Sequence, residues 1–180
     1  MKSRSIVYIE VGHVEVEEKE VNALQPCEIL VNTKVNGICA FDLHVFTGEY
    51  PIDWFPAVMG HEAVGVVADV GKDVTSFKVG DKVSTLGFGN FCDYYPISEG
   101  QALKIPQEEN DFHLWLGEPT ACVVSGIRLI QERNPGSKVT IIGCGFMGLM
   151  LVQLGVKRGL EVIAHDINPE RLALAQKCMH

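Results

Sequence analysis

"VTIIGCGFMG", residues 139–148, sets an apolar run directly before three glycines, and the residues after them are spaced so that the stretch reads as a strand, a tight turn and the start of a helix. "FMGLMLVQLGVKRG" puts Met147, Leu151 and Leu154 on one helical face, with Gly159 as the stop, before a second apolar run, "EVIAHD". The order predicts a β-α-β unit. Within it GCGFMG matches G-x-G-x-x-G, a weak signal alone because glycine is common. Its place between strand and helix, with Asp166 ending the next strand 18 residues beyond Gly148, turns it into a dinucleotide-binding expectation. Gly143 permits the turn, Gly145 lets backbone approach a pyrophosphate, and Gly148 lets helix and strand pack closely; Phe146 and Met147 open the helix whose N-terminus faces the phosphates. Asp166 is expected to bind the adenosine ribose and to repel a 2′-phosphate, so NAD is expected over NADP. The plainer alternative is a glycine turn that binds nothing.

Upstream of this unit, apolar residues recur at helical spacing from Thr120 to Gln131, and "RNPGS" supplies a Pro–Gly stop. Before residue 100 no helical period persists apart from a short turn around Phe41 to Phe46. Ser5 to Val16 and Glu28 to Val35 are rich in Val and Ile, and "VGKDVTSFKVGDKV" punctuates short apolar runs with Gly–Lys and Gly–Asp turns. A β-rich domain over 1–119 and the start of an α/β domain over 120–180 are therefore expected.

With 47% hydrophobic and 21% charged residues, the 180-residue chain has the composition of a globular protein. A net charge of −8 without a Lys/Arg run argues against nucleic acid and anionic membrane surfaces, leaving a small-molecule partner. The N-terminus lacks an uninterrupted apolar h-region, and no stretch reaches the roughly 20 apolar residues of a membrane span. A cytoplasmic setting is expected. Six scattered cysteines without CxxC spacing read as reduced thiols.

Cys39 in "GICAFDLH", His61 and Glu62 in "GHEAVGVVADVG", and Glu118 in "GEPTAC" offer thiolate, imidazole and carboxylate, a donor set suited to zinc. Distance along the chain is no objection. Each also has a plainer reading: a core thiol, a satisfied histidine, a carboxylate at a helix N-terminus.

"GICAFDLHVFTGEYP", "PAVMGHEAVGVVADVGKDVTSFKVGDKV", "GEPTAC" and "VTIIGCGFMG" occur in the same order as in zinc-dependent medium-chain alcohol dehydrogenases, which the chain resembles over nearly its whole length. The EP motif resembles the polyol and threonine dehydrogenase branch. The resemblance implies a GroES-like, partly open β-barrel followed by a Rossmann domain. It implies one catalytic zinc on Cys39 and His61, with Glu118 in the third ligand position and Glu62 joining the metal or standing just outside it. Asp42 matches the residue that orients the ligand histidine. The implied activity is NAD-dependent oxidation of a secondary alcohol (a polyol, sugar-like or hydroxy amino acid substrate) to a ketone.

Two positions depart from the family pattern. Phe41 stands where many relatives carry a Ser or Thr that passes the alcohol proton inward, and phenylalanine cannot relay one. His44, matching the outer relay member, and Glu62 are the remaining candidates. "GDKVSTLGFGNFCDYY" lacks a four-cysteine lobe, so Cys92 alone cannot hold a structural zinc. Cys122 lies near where relatives approach the nicotinamide, although helix packing suits it equally. Trp54 and Phe55 are pocket or core aromatics. "NPERLALAQKCMH" stops within a helix, so part of the Rossmann sheet, and the oligomer contacts of a complete enzyme, are expected elsewhere. Two rival readings stand beside the leading one: a truncated, non-catalytic zinc- or nucleotide-binding module, and a zinc-free reductase of the same superfamily.

Overall fold

The computed structural model describes residues 1–130 and 136–179 and divides into two compact units, Met1–Glu118 and Pro119–His180. In the first unit, β1 (Lys2–Glu10) and β2 (His13–Glu20) form an antiparallel hairpin with Tyr8 opposite Val14. Gly12, at φ 76°, makes the turn, and the Val-rich stretch from Ser5 to Val16 runs through both strands. β2 is an edge strand studded with Glu and Lys, chemistry that discourages further pairing.

β3 (Glu28–Gly37) leads into α1 (Ala40–Thr47), a two-turn helix where a short turn is expected from sequence. β4 (Ala57–Val58), β5 (Glu62–Val70), β6 (Lys82–Thr85), β7 (Tyr94–Ser98) and β8 (Ala102–Lys104) complete the unit. One sheet runs β2-β1-β4 and the other β7-β3-β5-β6-β8, with a single bridge between Ser5 and Cys92. These are open sheets, as a partly open barrel requires. Ile29, Val31, Ala63, Val67, Val83, Tyr95 and Ile97 fill one core, each large aliphatic contributing about 1.5–3 kcal/mol. Tyr8, Val45, Ala57 and Met59 form a second core, against which Phe41, Phe46 and Phe55 pack; Trp54 is exposed.

α2 (Gly117–Arg128) starts three residues before the sequence-based start, with Glu118 and Pro119 in its first turn, where a proline loses no hydrogen bond. The expected end at Gln131 and the "RNP" of the stop signal lie outside the described residues. In the second unit β9 (Lys138–Ile142), α3 (Phe146–Lys157) and β10 (Glu161–His165) form the β-α-β motif, the strands pairing in parallel from Lys138 opposite Glu161 to Ile142 opposite His165. α4 (Pro169–Lys177) comes next, its N-terminus capped by Asn168 Oδ1 accepting from Glu170 N at 2.8 Å.

The fully buried positions of α3 are Gly148, Val152 and Gly155; of the expected face, Leu151 packs partly buried against the same core, Leu154 is half-buried and Met147 is exposed. Close packing explains the correction. A side chain at Gly148 would strike the Gly143 carbonyl, and one at Gly155 would press on Val162, so the glycine stripe is what lets α3 settle on the strands.

Candidate metal centre and glycine turn

Cys39 stands at the N-cap of α1 in extended conformation (φ −78°, ψ 155°), and its N–H donates to Asp42 Oδ2 at 2.9 Å, tying the thiol to the first helical turn. Asp42 has no exposed surface. Its other oxygen, Oδ1, accepts from Gly60 N at 3.2 Å, so one buried carboxylate links the Cys39 turn to the turn that delivers His61. Gly60 adopts φ 89°, and a β-carbon there would strike the Phe91 ring and Asn90 Oδ1. Its carbonyl accepts from Gly89 N at 2.9 Å. Beyond this turn, Glu62 opens β5 in register with Gly37, whose missing side chain leaves the space that Glu62 Oε2 occupies. Gly37 and Gly60 thus position the two titratable side chains.

Two distant stretches converge here: one donor atom from each of Cys39, His61 and Glu62 lies within 4.8 Å of the others. The surroundings fit a cation. His61 Nδ1 is buried without a hydrogen-bond partner, 3.7 Å from Asp42 Oδ1. Burial, then the charge of Glu118, push the Glu62 carboxyl above its ordinary range. Burial likewise raises the Cys39 thiol, with Glu62, Asp42 and Glu118 adding to the rise and a backbone hydrogen bond from Phe41 opposing it. A thiol and a carboxyl that resist ionisation beside a buried imidazole are groups whose charged, ligating forms a zinc ion, with ligand distances of about 2.0–2.3 Å, would stabilise.

Glu118 is not among the three converging groups, although its field reaches both Glu62 and Cys39. Gly117 N, donating to Ser84 Oγ at 2.9 Å, anchors the start of α2 beside β6. His44 is exposed on α1 and pairs through Nδ1 with Glu49 Oε2. Aromatic rings flank the cluster: Phe88 lies 5.0 Å from the His61 ring, and Phe41 lies 6.2 Å from His61, 6.2 Å from Phe88 and 5.1 Å from Tyr50. Cys92 is remote from this chemistry. It donates to the Gly89 and Tyr94 carbonyls, and burial pushes its thiol up to about 11.

In the second unit, Gly143 takes φ 93° and its N–H donates to the His165 carbonyl at 2.7 Å, the tight turn expected of the first glycine. Around Gly145 an added β-carbon would meet nothing within 4 Å, so this face of the backbone is open to a ligand; Phe146 beside it is exposed. Asp166 Oδ2 accepts from Cys144 N at 2.7 Å and Oδ1 from Asn168 N at 2.8 Å. Those backbone bonds hold its carboxyl below the usual range. The carboxylate expected at a ribose is thus also the brace of the glycine turn. Arg171, whose Nη1 lies 3.9 Å from Asp166 Oδ2, carries no motif signal because it sits on the next helix. Cys122 is exposed on α2.

Residues 25–107 match the family described as the alcohol dehydrogenase GroES-like domain. The chain is 31% identical to D-altritol 5-dehydrogenase of Agrobacterium fabrum, over 96% of this chain and 60% of that protein. A crystal structure from Sinorhizobium meliloti 1021, described as a zinc-binding dehydrogenase bound to NADP, superposes with TM-score 0.87 at 26% identity, covering 99% of this chain and 60% of that one. An Escherichia coli CFT073 structure, described as a short chain alcohol dehydrogenase complexed with NADH, gives TM-score 0.85 at 26% identity, covering 98% and 60%. This chain spans about three fifths of the length of the curated relatives it matches. Among the described residues, no helix is long and apolar enough to cross a membrane.

Proposed function

We propose, for a chain that belongs to the medium-chain alcohol dehydrogenase family through its GroES-like domain at residues 25–107, that it supplies the metal-binding unit and the first half of the cofactor-binding unit of a zinc- and NAD-dependent dehydrogenase of secondary alcohols. The observation that carries this reading is the convergence of Cys39, His61 and Glu62 within 4.8 Å in a buried setting. Cys39, His61 and Glu62 would hold the metal, with Glu118 near enough to bias the site electrostatically and to exchange with Glu62 as the third ligand. Bound zinc supplies Lewis acidity, and bound NAD supplies a hydride acceptor.

The chain's own residues do the rest. Asp42 fixes the relative placement of the Cys39 and His61 turns through its bonds to Cys39 N and Gly60 N, and its carboxylate lies 3.7 Å from His61 Nδ1. Phe41 excludes water from one side of His61 and gives no inward proton path, so a proton leaves through Glu62 or through solvent to His44 Nε2, the ring being steadied at the surface by Glu49 on its Nδ1. Gly143, Gly145 and Gly148 present backbone to the pyrophosphate, with Phe146 and Met147 flanking it and Asp166 at the ribose. A small-molecule alcohol is the partner. The EP motif and the D-altritol dehydrogenase match support a polyol, whereas the rings around His61 favour a less hydroxylated class.

The test is metal content. His61→Ala should lose zinc measured by atomic absorption on the purified chain; undiminished stoichiometry would end this reading.

A further inference from the structure

Resting on the dehydrogenase reading, we propose that the alcohol taken by this site carries an aromatic or extended apolar group beside its carbinol carbon, held against Phe41, Tyr50 and Phe88. Four rings form one continuous patch over the donor cluster. Phe88 lies 5.0 Å from the His61 ring at 39°; Phe41 meets Phe88 at 6.2 Å and 79°, and Tyr50 at 5.1 Å and 66°. Rings set steeply to Phe41 make a corner, in which a flat guest finds both a ring face and a ring edge at the separations aromatic pairs prefer.

Exposure gives this corner a purpose. Phe88 is 69% and Tyr50 54% exposed, although each belongs to a patch that begins at a buried histidine. Large rings left in water next to a buried polar cluster mark a surface that gains by being covered. A polyol is a poor cover. Every hydroxyl that it brings against these rings loses water, and of the three side chains only the Tyr50 phenol can return a hydrogen bond. Sites that select hydroxylated substrates do so with placed polar partners, whose unpaired state would reject the wrong molecule. The corner has the opposite character: it costs a polyol its hydration and rewards an apolar ring. Phe41, whose ring meets those of Tyr50, His61 and Phe88, contributes to that character directly.

The experiment titrates the 180-residue chain, supplied with zinc, with 1-phenylethanol and separately with xylitol, following Phe and Tyr ring signals by NMR. 1-Phenylethanol should saturate with a Kd at least about tenfold below that of xylitol, and Phe88→Ala should weaken it about tenfold while Phe88→Leu recovers part of the loss. Since Phe88 is largely exposed, its replacement leaves the packed cores intact. Absence of saturable 1-phenylethanol binding, equal or tighter binding of xylitol, or unchanged affinity in Phe88→Ala each overturns the proposal. Zinc content and NAD reduction, measured on the same samples, separate the two readings. Ring-dependent binding without zinc retention leaves this inference standing and sinks the dehydrogenase reading. Polyol-selective turnover does the reverse.

Discussion

The candidate sites of the two units, each proposed to hold a charged group against protein, are built in opposite ways. The candidate metal centre is built from side chains brought together across long stretches of chain: Cys39 from a helix cap, His61 and Glu62 from a strand entrance, joined by the buried Asp42. The glycine turn is built mainly from backbone within ten consecutive residues, closed from outside them by the His165 carbonyl and Asp166. Side-chain convergence needs tertiary structure to exist first. A strand-turn-helix nearly specifies itself, which is why one site should be fragile to distant changes and the other to local ones.

The sharpest way to break this contrast is a pair of glycine substitutions. Gly60→Ala forces a side chain into φ 89° and onto Phe91 and Asn90. Strain and overpacking together cost about 3 kcal/mol, read by urea unfolding, and zinc stoichiometry should fall with it. Gly148→Ala drives a β-carbon against the Gly143 carbonyl and should destroy NAD binding while the zinc content stays at one per chain. Loss of zinc in Gly148→Ala, or its retention in Gly60→Ala at full stability, would contradict the division.

Asp42→Asn comes next. The amide keeps one acceptor for the two N–H groups that the carboxylate now serves, and places a donor opposite the other. Destabilisation of about 1–3 kcal/mol and a 10–100-fold loss in zinc affinity are expected, the latter measured by competition with a chelator. Unchanged affinity would make Asp42 a purely structural residue.

Legibility in the sequence divides along the same line. The β-α-β order and the tasks of Gly143 and Gly148 are legible because strand, turn and helix adjoin in the chain, and local spacing carries local geometry. The face of α3 is misread there, because hydrophobic periodicity counts Met147 and Leu154 as core while close packing chooses Gly148 and Gly155. Cys39, His61 and Glu62 give no joint signal by spacing; only resemblance to a family brings them together beforehand. Gly37 and Gly60 open the quoted GICAFDLH and GHEAVGVVADVG stretches, yet spacing does not reveal their task, which lies in what fills the space beside them. The rings of Phe41, Tyr50 and Phe88 are invisible as a group for the same reason: their mutual distances depend on how α1 and the residues after it meet the distant connection between β6 and β7.

Asp166 sharpens the comparison from the other side, because here a side chain does serve the backbone site. Its carboxylate braces Cys144 N and Asn168 N, and in the proposed reading it would set negative charge against a 2′-phosphate. Asp166→Asn should shift the NADP/NAD binding ratio toward NADP by roughly tenfold, with Arg171 freed to meet the phosphate. Isothermal titration with each nucleotide reads the ratio. An unchanged ratio would confine Asp166 to its bracing role.

The smallest effect expected is a pH limb that belongs to one unit. Asp81, buried in the turn between β5 and β6, accepts from Lys78 N at 3.1 Å and pairs with Lys104 Nζ at 2.8 Å. Burial alone would raise its pKa, but the Lys104 and Lys78 interactions outweigh it and hold the carboxyl below the ordinary 3.8. The unfolded chain therefore binds this proton at higher pH than the folded one. Stability from Asp81 is complete above the unfolded value and is lost as pH falls through the lower, folded one. Asp81→Asn should cost about 1 kcal/mol at pH 7, cost less with each step below pH 4, and flatten the acid limb of the first unit. Asp166, also depressed, gives the second unit an acid limb of its own that Asp81→Asn must leave in place. Acid unfolding followed separately by tryptophan fluorescence, which reports only on the first unit because Trp54 and Trp115 both lie there, and by amide exchange at β9 and β10 would resolve the two. A single limb flattened in both probes would mean that the units titrate as one.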